Sequence, residues 1–576
     1  MSTSSGGDFT QQSAIHVAVT GKQRGVSGSL LSTLLKETSG CQDNIVIHDL
    51  DLYTVMNPMD AATQASLILA RLVQTLQPRI LFHAQHDTPM FHSINTLVQS
   101  LRLSFIQLPL SEVQHALWIS KLPLETLQYW NQIKVTLVVI TDRRPHSLSR
   151  LLNSIHHAKY LGDKVDVSIH MEQSADRVTR MFVNSFRWEY GDKRIRHRIQ
   201  KGGLMPAIIE SWYPADNDDY GVLLEDDIEV SPLFYAWIKY NILHYRYNTD
   251  NSEAYNWVYG ISLYSPRNLE LMPEGRIKFD PNDVLLPEHY PPRTPYASQV
   301  PCSWGAVYFP EHWREFHQYL TSRLLDLKTD HPRLHIHVPN SRSERWKKSW
   351  KKYFIEMVYL RAYVMVYPNF QDFESFSTNH LEFGTHIKHE RAQGAIDSFV
   401  VPLMQRDTLL SQLPNQRLPS IDKLPLMDLW GQLMTHQQMD AIAAEWHQHV
   451  SACIRRPSQD RFDPQDLLCP FPRNSTIINT TMTTTKKKQQ QSKTVHTKHM
   501  LEYIEYVTVY MDENRDRILE DSFNMDAWDD MPESLDVATM TTKTSDHEHE
   551  DDEFKDLEEN WRDLKEIAME YQQRVS

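Results

Sequence analysis

The 576-residue sequence predicts an α/β protein, because a strand–helix alternation runs twice along it, over residues 15–130 and again from Lys134. In the first stretch, apolar β-branched runs at 15–19, 44–50, 79–83 and 104–108 alternate with helical spacing near 26–38, 60–77 and 91–101. That is the rhythm of a small, mostly parallel α/β unit. In the second, VTLVVIT (135–141) is apolar without interruption, as a strand covered on both faces must be. Hydrophobic residues make up 41% of the chain, enough for a large core and too much length for one ordinary domain.

The elements follow in order. After residues 1–14, which read as disordered, the turn GKQRGVSGS (21–29) is glycine-rich and opens a helix. Such a turn can hold a phosphate on backbone N–H groups. It fits neither the dinucleotide nor the P-loop pattern, so an ordinary tight turn is the alternative. Beyond the unit at 15–130, a body spans 131–402. Leu148, Leu151, Leu152 and Ile155 recur at helical spacing, with Ser147 placed to cap that helix. Further strands are expected at 164–171, 221–224, 257–262, 306–309 and 363–367, and the proline-rich stretch 281–301 reads as a long ordered loop. Residues 403–472 read as short helices and loops packed on the body. From 473 to 576 the composition is that of a disordered tail, with low complexity at 480–493. Asn474-Ser-Thr and Asn479-Thr-Thr fit the N-glycosylation pattern. Near 552–573, Phe554, Leu557, Trp561, Leu564, Ala568 and Tyr571 recur at three- and four-residue steps in an acidic helix. That apolar face calls for a partner or the protein's own surface.

Charge and cysteine usage exclude several classes. The net charge of -15 lies in the tail: residues 511–576 hold 22 acids against 7 bases, leaving 52 of each in residues 1–510. Nucleic acid, which wants a basic face, is not an expected partner. The four cysteines are scattered without a CxxC pair, which argues against a disulfide scaffold or a cysteine zinc site. No run approaches eighteen apolar residues, and the start MSTSSGGDFTQQS lacks a basic and an apolar region. Neither a membrane span nor a conventional signal peptide is expected.

The chemistry concentrates in YGVLLEDDIEVSPLFYAW (220–237). A buried apolar strand ends abruptly in Glu225, Asp226 and Asp227, and Ser231 and Pro232 then open a helix, as cap and first-turn residue. Three adjacent carboxylates repel one another unless a cation or donor group neutralises them, and the carboxyl end of strands is where open α/β sheets bind ligands. Mg2+ or Mn2+ suits such hard oxygens and needs only one or two of them when phosphates complete the shell. A solvated acidic turn is the plain alternative. Thr141, Asp142 and Arg143 end one neighbouring strand and Glu172 another, where carboxylates can accept hydrogen bonds from a nucleobase or ribose.

This pattern of strand-end acids resembles the GT-A fold of nucleotide-sugar-dependent glycosyltransferases, Rossmann-like with a mostly parallel sheet and helices on both faces. LLEDDIEVSPLFYAW is similar to the EDD motif and following helix of the N-acetylglucosaminyltransferase I family, and to family-2-like transferases. The resemblance covers roughly 131–400. It implies Asp227 as metal ligand, Glu225 and Asp226 near sugar and ribose, and Asp142 and Glu172 near the uracil of a UDP-sugar. PCSWGAVYFP (301–310) resembles the acceptor-side loop of such enzymes, with Trp304 a face for sugar stacking and Gly305 permitting close backbone approach. An inverting enzyme of this kind needs a carboxylate to take the acceptor proton. Glu356, an acid within an apolar run that should face a cavity, fills that role, with Asp372 the second candidate; a surface pair of Glu356 with Lys352 is the alternative. A late histidine often serves as a second metal ligand in this fold, which points to His386, with His380 next.

The implied activity is metal-dependent, inverting transfer of a sugar from a UDP-sugar, UDP-N-acetylglucosamine by resemblance, to a hydroxyl of a glycan, lipid or protein. Two other classes stay open: a metal-dependent phosphoesterase, whose two-metal cluster the sequence does not display, and a catalytically inactive transferase-like scaffold. The resemblance implies the secretory pathway (Golgi or endoplasmic reticulum), and the expected absence of an anchor leaves a cytoplasmic location as the alternative.

Overall fold

Among the described residues of the first α/β stretch, four strands form: β1 (Ile15–Val19), β2 (Ile45–Asp49), β3 (Ile80–Gln85) and β4 (Ser104–Pro109), separated by helices Gly28–Thr38, Pro58–Leu76 and Pro89–Leu101. β1 pairs in parallel with β2, and β3 with β4, as their alternation with helices requires. The computed structural model describes residues 15–19, 28–38, 45–50, 58–85, 89–101 and 104–450, apart from 253, 331, 333–335, 347, 381–398 and 406–408. The turn around 21–27, His386 and everything expected of the tail, including the helix near 552–573, lie outside the described residues.

The body is built on a nine-stranded sheet. Its strands are β5 (Lys134–Thr141), β6 (Val165–Met171), β7 (Lys193–His197), β8 (Asp219–Glu225), β10 (Val258–Ser262), β13 (Tyr296–Ser298), β14 (Ala306–Tyr308), β15 (Val364–Tyr367) and β17 (Leu426–Met427). The order is β17-β13-β15-β10-β14-β8-β5-β6-β7. The run β8-β5-β6-β7 is parallel throughout, and β14 enters antiparallel beside β8. The short strands β9 (Ile228–Val230) and β16 (Ser377–Asn379) form a separate antiparallel pair, as do β11 (Asn268–Leu269) and β12 (Ile277–Lys278). On β5, Leu137, Val138 and Val139 are all fully buried. Successive strand residues point to opposite faces, so the sheet is covered on both sides.

The α/β class and most strands of the body are as expected, and four details differ. The helix expected to be capped by Ser147 starts earlier, at Pro145 with Arg144 preceding it, and Ser147 is buried inside it; proline suits the first helical turn, where no N–H is needed. Ser231 accepts the Leu233 N–H, yet its helix begins only at Phe234, after a turn through Pro232. The stretch expected as a loop over 281–301 contains helix Pro281–Leu285 and strand β13. The segment after 402 contributes β17 to the edge of the main sheet rather than merely packing on it.

The two α/β stretches share one core. Ile106 and Leu108 of β4, together with Ala116 and Trp118, join the cluster formed by β5, β6 and β8. Gly162 permits the contact: at φ +79° its α-carbon faces the Gln107 carbonyl, where a side chain would collide with backbone. A smaller cluster, Leu69 and Val98 with Val73, Leu81, Leu97 and Phe105 around them, holds the outer part of the first stretch together. No helix among the described residues is long and apolar enough to cross a membrane.

β8, which carries the acids, is fixed by its fit to Trp212: a Cβ at Gly221 would fall within that indole. Gly221→Ala should destabilise the fold by roughly 1–3 kcal/mol, the usual cost of overpacking a filled core. Urea unfolding followed by circular dichroism checks it, and an unchanged midpoint would contradict the packing.

Candidate active site

The three acids stand where a sealed strand meets a turn. Tyr220, Val222 and Leu224 of β8 are fully buried, Glu225 ends the strand half-buried, and Asp226 and Asp227 turn the chain into β9, whose Ile228 and Val230 return to the core. The acids cannot withdraw, because apolar anchors flank them on both sides. Register sets Ile140 of β5 opposite Glu225, which brings the residues after β5 against the turn. Thr141 Oγ1 donates to Asp226 Oδ2 at 2.8 Å, and the Asp142 backbone N–H donates to the same carboxylate. The Arg144 guanidinium lies 2.6 Å from Asp226 Oδ1 and 3.5 Å from Asp227 Oδ2. Asp226, with no exposure, is therefore committed to holding the turn, while Glu225 and Asp227 keep partial access.

Their electrostatics follow from that crowding. Burial pushes the Glu225 carboxyl up to about 8, with the charges of Asp227 and Asp226 adding to the effect and Arg144 and Lys351 opposing it. Burial likewise pushes Asp226 up to about 6; Asp227 adds to this, and Arg144, Thr141 and the Asp142 N–H oppose it. Arg144 thus offsets only part of the negative charge.

The neighbouring strand ends supply further groups. Asp142 accepts from Ser174 Oγ at 2.8 Å, and Arg143 is exposed, 3.5 Å from Asp142. Glu172 is buried and accepts three backbone N–H groups, from Gln173 at 2.8 Å, Gly202 at 3.2 Å and Gly203 at 3.1 Å. Its carboxylate clamps the glycine turn after β7.

On the other side, β16 pairs with β9, so the His380 N–H donates to the Asp227 carbonyl at 2.9 Å and His380 Nε2 lies 2.6 Å from Glu229 Oε2. Ser377 of β16 donates to the Trp304 carbonyl at 2.6 Å. Gly305, at φ +89°, sits so close that a Cβ would be 3.0 Å from Ser377 Oγ. The half-buried Trp304 ring packs edge-on against Tyr264 (4.9 Å) and Phe399 (5.1 Å), with Lys351 Nζ 5.6 Å from its centre.

The fold therefore gathers Thr141, Asp142, Glu225, Asp226, Asp227, Trp304, Gly305 and His380 around the ends of β5, β8 and β9. It does not deliver Glu356 as expected. That residue is completely buried in helix Trp350–Arg361, where Tyr319 Oη and Arg323 Nε both donate to Oε2 at 3.0 Å and Lys352 Nζ lies 3.3 Å from Oε1. An acid in an apolar run must be neutralised, and here Arg323 and Lys352 do so in place of an open cavity. Asp372 is exposed on the turn Gln371–Phe373 at φ +56°. Sequence reasoning missed Arg144, Glu270, Lys351 and Ser377. Only Arg144 carried a signal, as the residue directly after Thr141-Asp142-Arg143.

Among the described residues no three His, Cys, Asp or Glu side chains gather into a ready metal cage. The donor set fits a different arrangement: two partly accessible carboxylates, Glu225 and Asp227, offer hard oxygens to a divalent cation that takes its remaining ligands from phosphate and water.

Residues 5–130 match the family model described as "SPBC1E8.03c N-terminal domain", and residues 143–267 and 284–329 match the one described as "SPBC1E8.03c C-terminal domain". No curated protein matches the sequence. Similar solved structures include the mannosyltransferase PcManGT from Pyrobaculum calidifontis in complex with GDP-Man and Mn2+, at 14% identity over 32% of this chain and 46% of that one, with a TM-score of 0.22. GalNAc-T7 with UDP, GalNAc and Mn2+ matches at 11% identity over 41% and 42%, TM-score 0.27. S. aureus TarS 1-349 matches at 12% identity over 41% and 58%, TM-score 0.23. The chain spans about half the length of these solved chains. The narrower likeness to the N-acetylglucosaminyltransferase I family finds no support among these matches.

The raised acids set a pH dependence. A carboxyl whose folded pKa lies above its unfolded value stabilises fully below the unfolded value, and that stability is lost as pH rises through the folded one. For Glu225 this window runs from its ordinary value near 4.5 up to about 8. Asp227→Asn removes one of the charges that raise it, so the variant should melt a few degrees higher than the wild type at pH 8 and nearly equal to it at pH 5. Calorimetric Tm values at the two pH values decide this; a gain equal at both would contradict the electrostatic account.

Proposed function

We propose that this chain is a metal-dependent glycosyltransferase of the GT-A kind, moving a sugar with inversion from a nucleoside diphosphate donor to a hydroxyl of a glycan, lipid or protein. UDP-N-acetylglucosamine is the donor in this reading. The observation that carries it is the acid turn after β8: three carboxylates anchored between buried residues, two still accessible, at the carboxyl edge of the parallel run β8-β5-β6-β7.

Asp227 and Glu225 would hold Mn2+ or Mg2+, and the imidazole of His386 or His380 would be a further ligand. The cation, when bound, neutralises charge on the departing diphosphate. Asp226 fixes the turn through Thr141 and Arg144, and Arg144 also faces the phosphates as a fixed positive charge. Asp142 and Arg143 flank the nucleoside. Glu172 acts on it through the Gly202–Gly203 turn that it clamps, and Trp304, supported by Tyr264 and Phe399, presents an apolar face to a sugar ring.

The scaffold alternative keeps one supporting observation, since Arg144 already pairs with two of the three acids. The phosphoesterase alternative lacks a two-metal cluster among the described residues.

A screen of UDP-sugars in Mn2+, following UDP release, tests the proposal. Release should require both metal and donor, and Asp227→Asn should lower it by at least roughly 10²-fold, as losing charge stabilisation at the reacting centre does. Full release by that variant, or none by the wild type with any donor, would remove the reading.

A further inference from the structure

With Glu356 sealed by Arg323, Tyr319 and Lys352, and Asp372 exposed on a surface turn, neither acid singled out in the sequence stands at the acceptor side of the site. Another carboxylate, Glu270, pairs with a lysine that lies over the Trp304 ring. Glu270 follows β11 directly and is held on its far side by Leu271, which is buried and whose carbonyl accepts the Arg342 N–H at 3.0 Å. Its side chain is only 12% exposed, and Oε1 forms an ion pair with Lys351 Nζ.

Lys351 locates the pair. It occupies the first turn of helix Trp350–Arg361, where its N–H is capped by Ser349 Oγ at 3.3 Å. From there its ammonium lies over the Trp304 ring and acts on Glu225. One buried cation therefore connects the metal-side acid, the sugar-stacking tryptophan and Glu270.

A lysine in the first turn of a helix opposes the helix dipole, and burial adds a desolvation cost. Lys352, its neighbour, meets the same cost by pairing with Glu344 at 2.8 Å and with Glu356 at 3.3 Å. Of these two lysines it is Lys351 whose ammonium lies over the Trp304 ring. We infer that Glu270 is the catalytic residue that accepts the acceptor hydroxyl's proton, with Lys351 as the positioning residue that holds it beside Trp304. This rests on the transferase reading above.

The step balances. The acceptor O–H bond breaks, its proton passes to Glu270 Oε2, and the oxygen's electron pair forms the new bond to the anomeric carbon. The bond from that carbon to the diphosphate breaks, and its electron pair leaves with UDP. Glu270 is ion-paired with Lys351; both act on the Cys302 thiol, and Glu270 acts together with Arg267 and Arg276 on the Tyr264 hydroxyl.

The test uses the full chain with UDP-N-acetylglucosamine, UDP-glucose and UDP-galactose in Mn2+, and a panel of methyl glycosides as acceptors, with UDP binding measured in parallel by calorimetry. Glu270→Gln should lower acceptor-dependent UDP release by roughly 10²–10⁴-fold, the usual range for a lost general base, while UDP affinity and donor KM stay unchanged. Glu270→Asp should recover part of the rate. Added formate should restore turnover to Glu270→Ala, which a purely structural carboxylate would not show. Lys351→Met should lower kcat less, and Lys351→Arg should regain it. Wild-type turnover by Glu270→Gln, or no formate rescue in a Glu270→Ala variant that still binds UDP, overturns the assignment of Glu270. A wild-type chain that binds no UDP and releases none fails at the transferase reading, a distinct outcome that removes this inference with it.

Discussion

The constraint on which this structure turns is the crowding of three carboxylates at the end of a sealed strand. β8 cannot slide outward to hydrate them, because Val222 and Leu224 before them and Ile228 and Val230 after them are all buried. Folding therefore carries an electrostatic cost at one place, and the surroundings meet it incompletely. Thr141, the Asp142 N–H and Arg144 settle Asp226, while Glu225 is left with a carboxyl pushed far above its ordinary range. A fold retains such strain at functional sites, where a ligand completes the charge balance.

The rest of the site is arranged around that turn by short pieces of backbone. β16 pairs with β9 and ties His380 to Asp227, while Ser377 on the same strand holds the Trp304 carbonyl and leaves room only for glycine at 305. A shift at the acid turn would therefore reach the aromatic platform through one antiparallel strand pair. Glu172 does similar work on the opposite flank, accepting the Gln173 N–H beside it and two N–H groups of the loop after β7. The groups that touch ligand are few in this account, and the groups that position them are many.

Much of this was legible in the sequence where the signal is local. A continuous apolar run located β5, apolar residues at shorter spacing located β6, β8 and β10, and the abrupt change from Leu224 to Glu225 marked the candidate site. What stayed hidden depends on contacts distant in sequence. β7 (KRIRH) is an edge strand whose charged residues give no apolar run, and β9, β13, β16 and β17 are only two or three residues long. Glu356 looked available because an acid among apolar residues implies a cavity. The partners that seal it include Tyr319 and Arg323 from helix Pro310–Leu327, which no local pattern connects to it. Lys351 and Glu270 were invisible for the same reason, being 81 positions apart.

The central claim is that the acid turn grips a cation bearing a sugar donor's diphosphate. Crystals soaked with UDP and Mn2+ and measured at the manganese absorption edge test it most directly. The account predicts an anomalous peak in coordination contact with the Asp227 carboxylate and with diphosphate oxygens. Diphosphate density elsewhere on the molecule, or ordered UDP at this turn with no manganese beside Asp227, would contradict it.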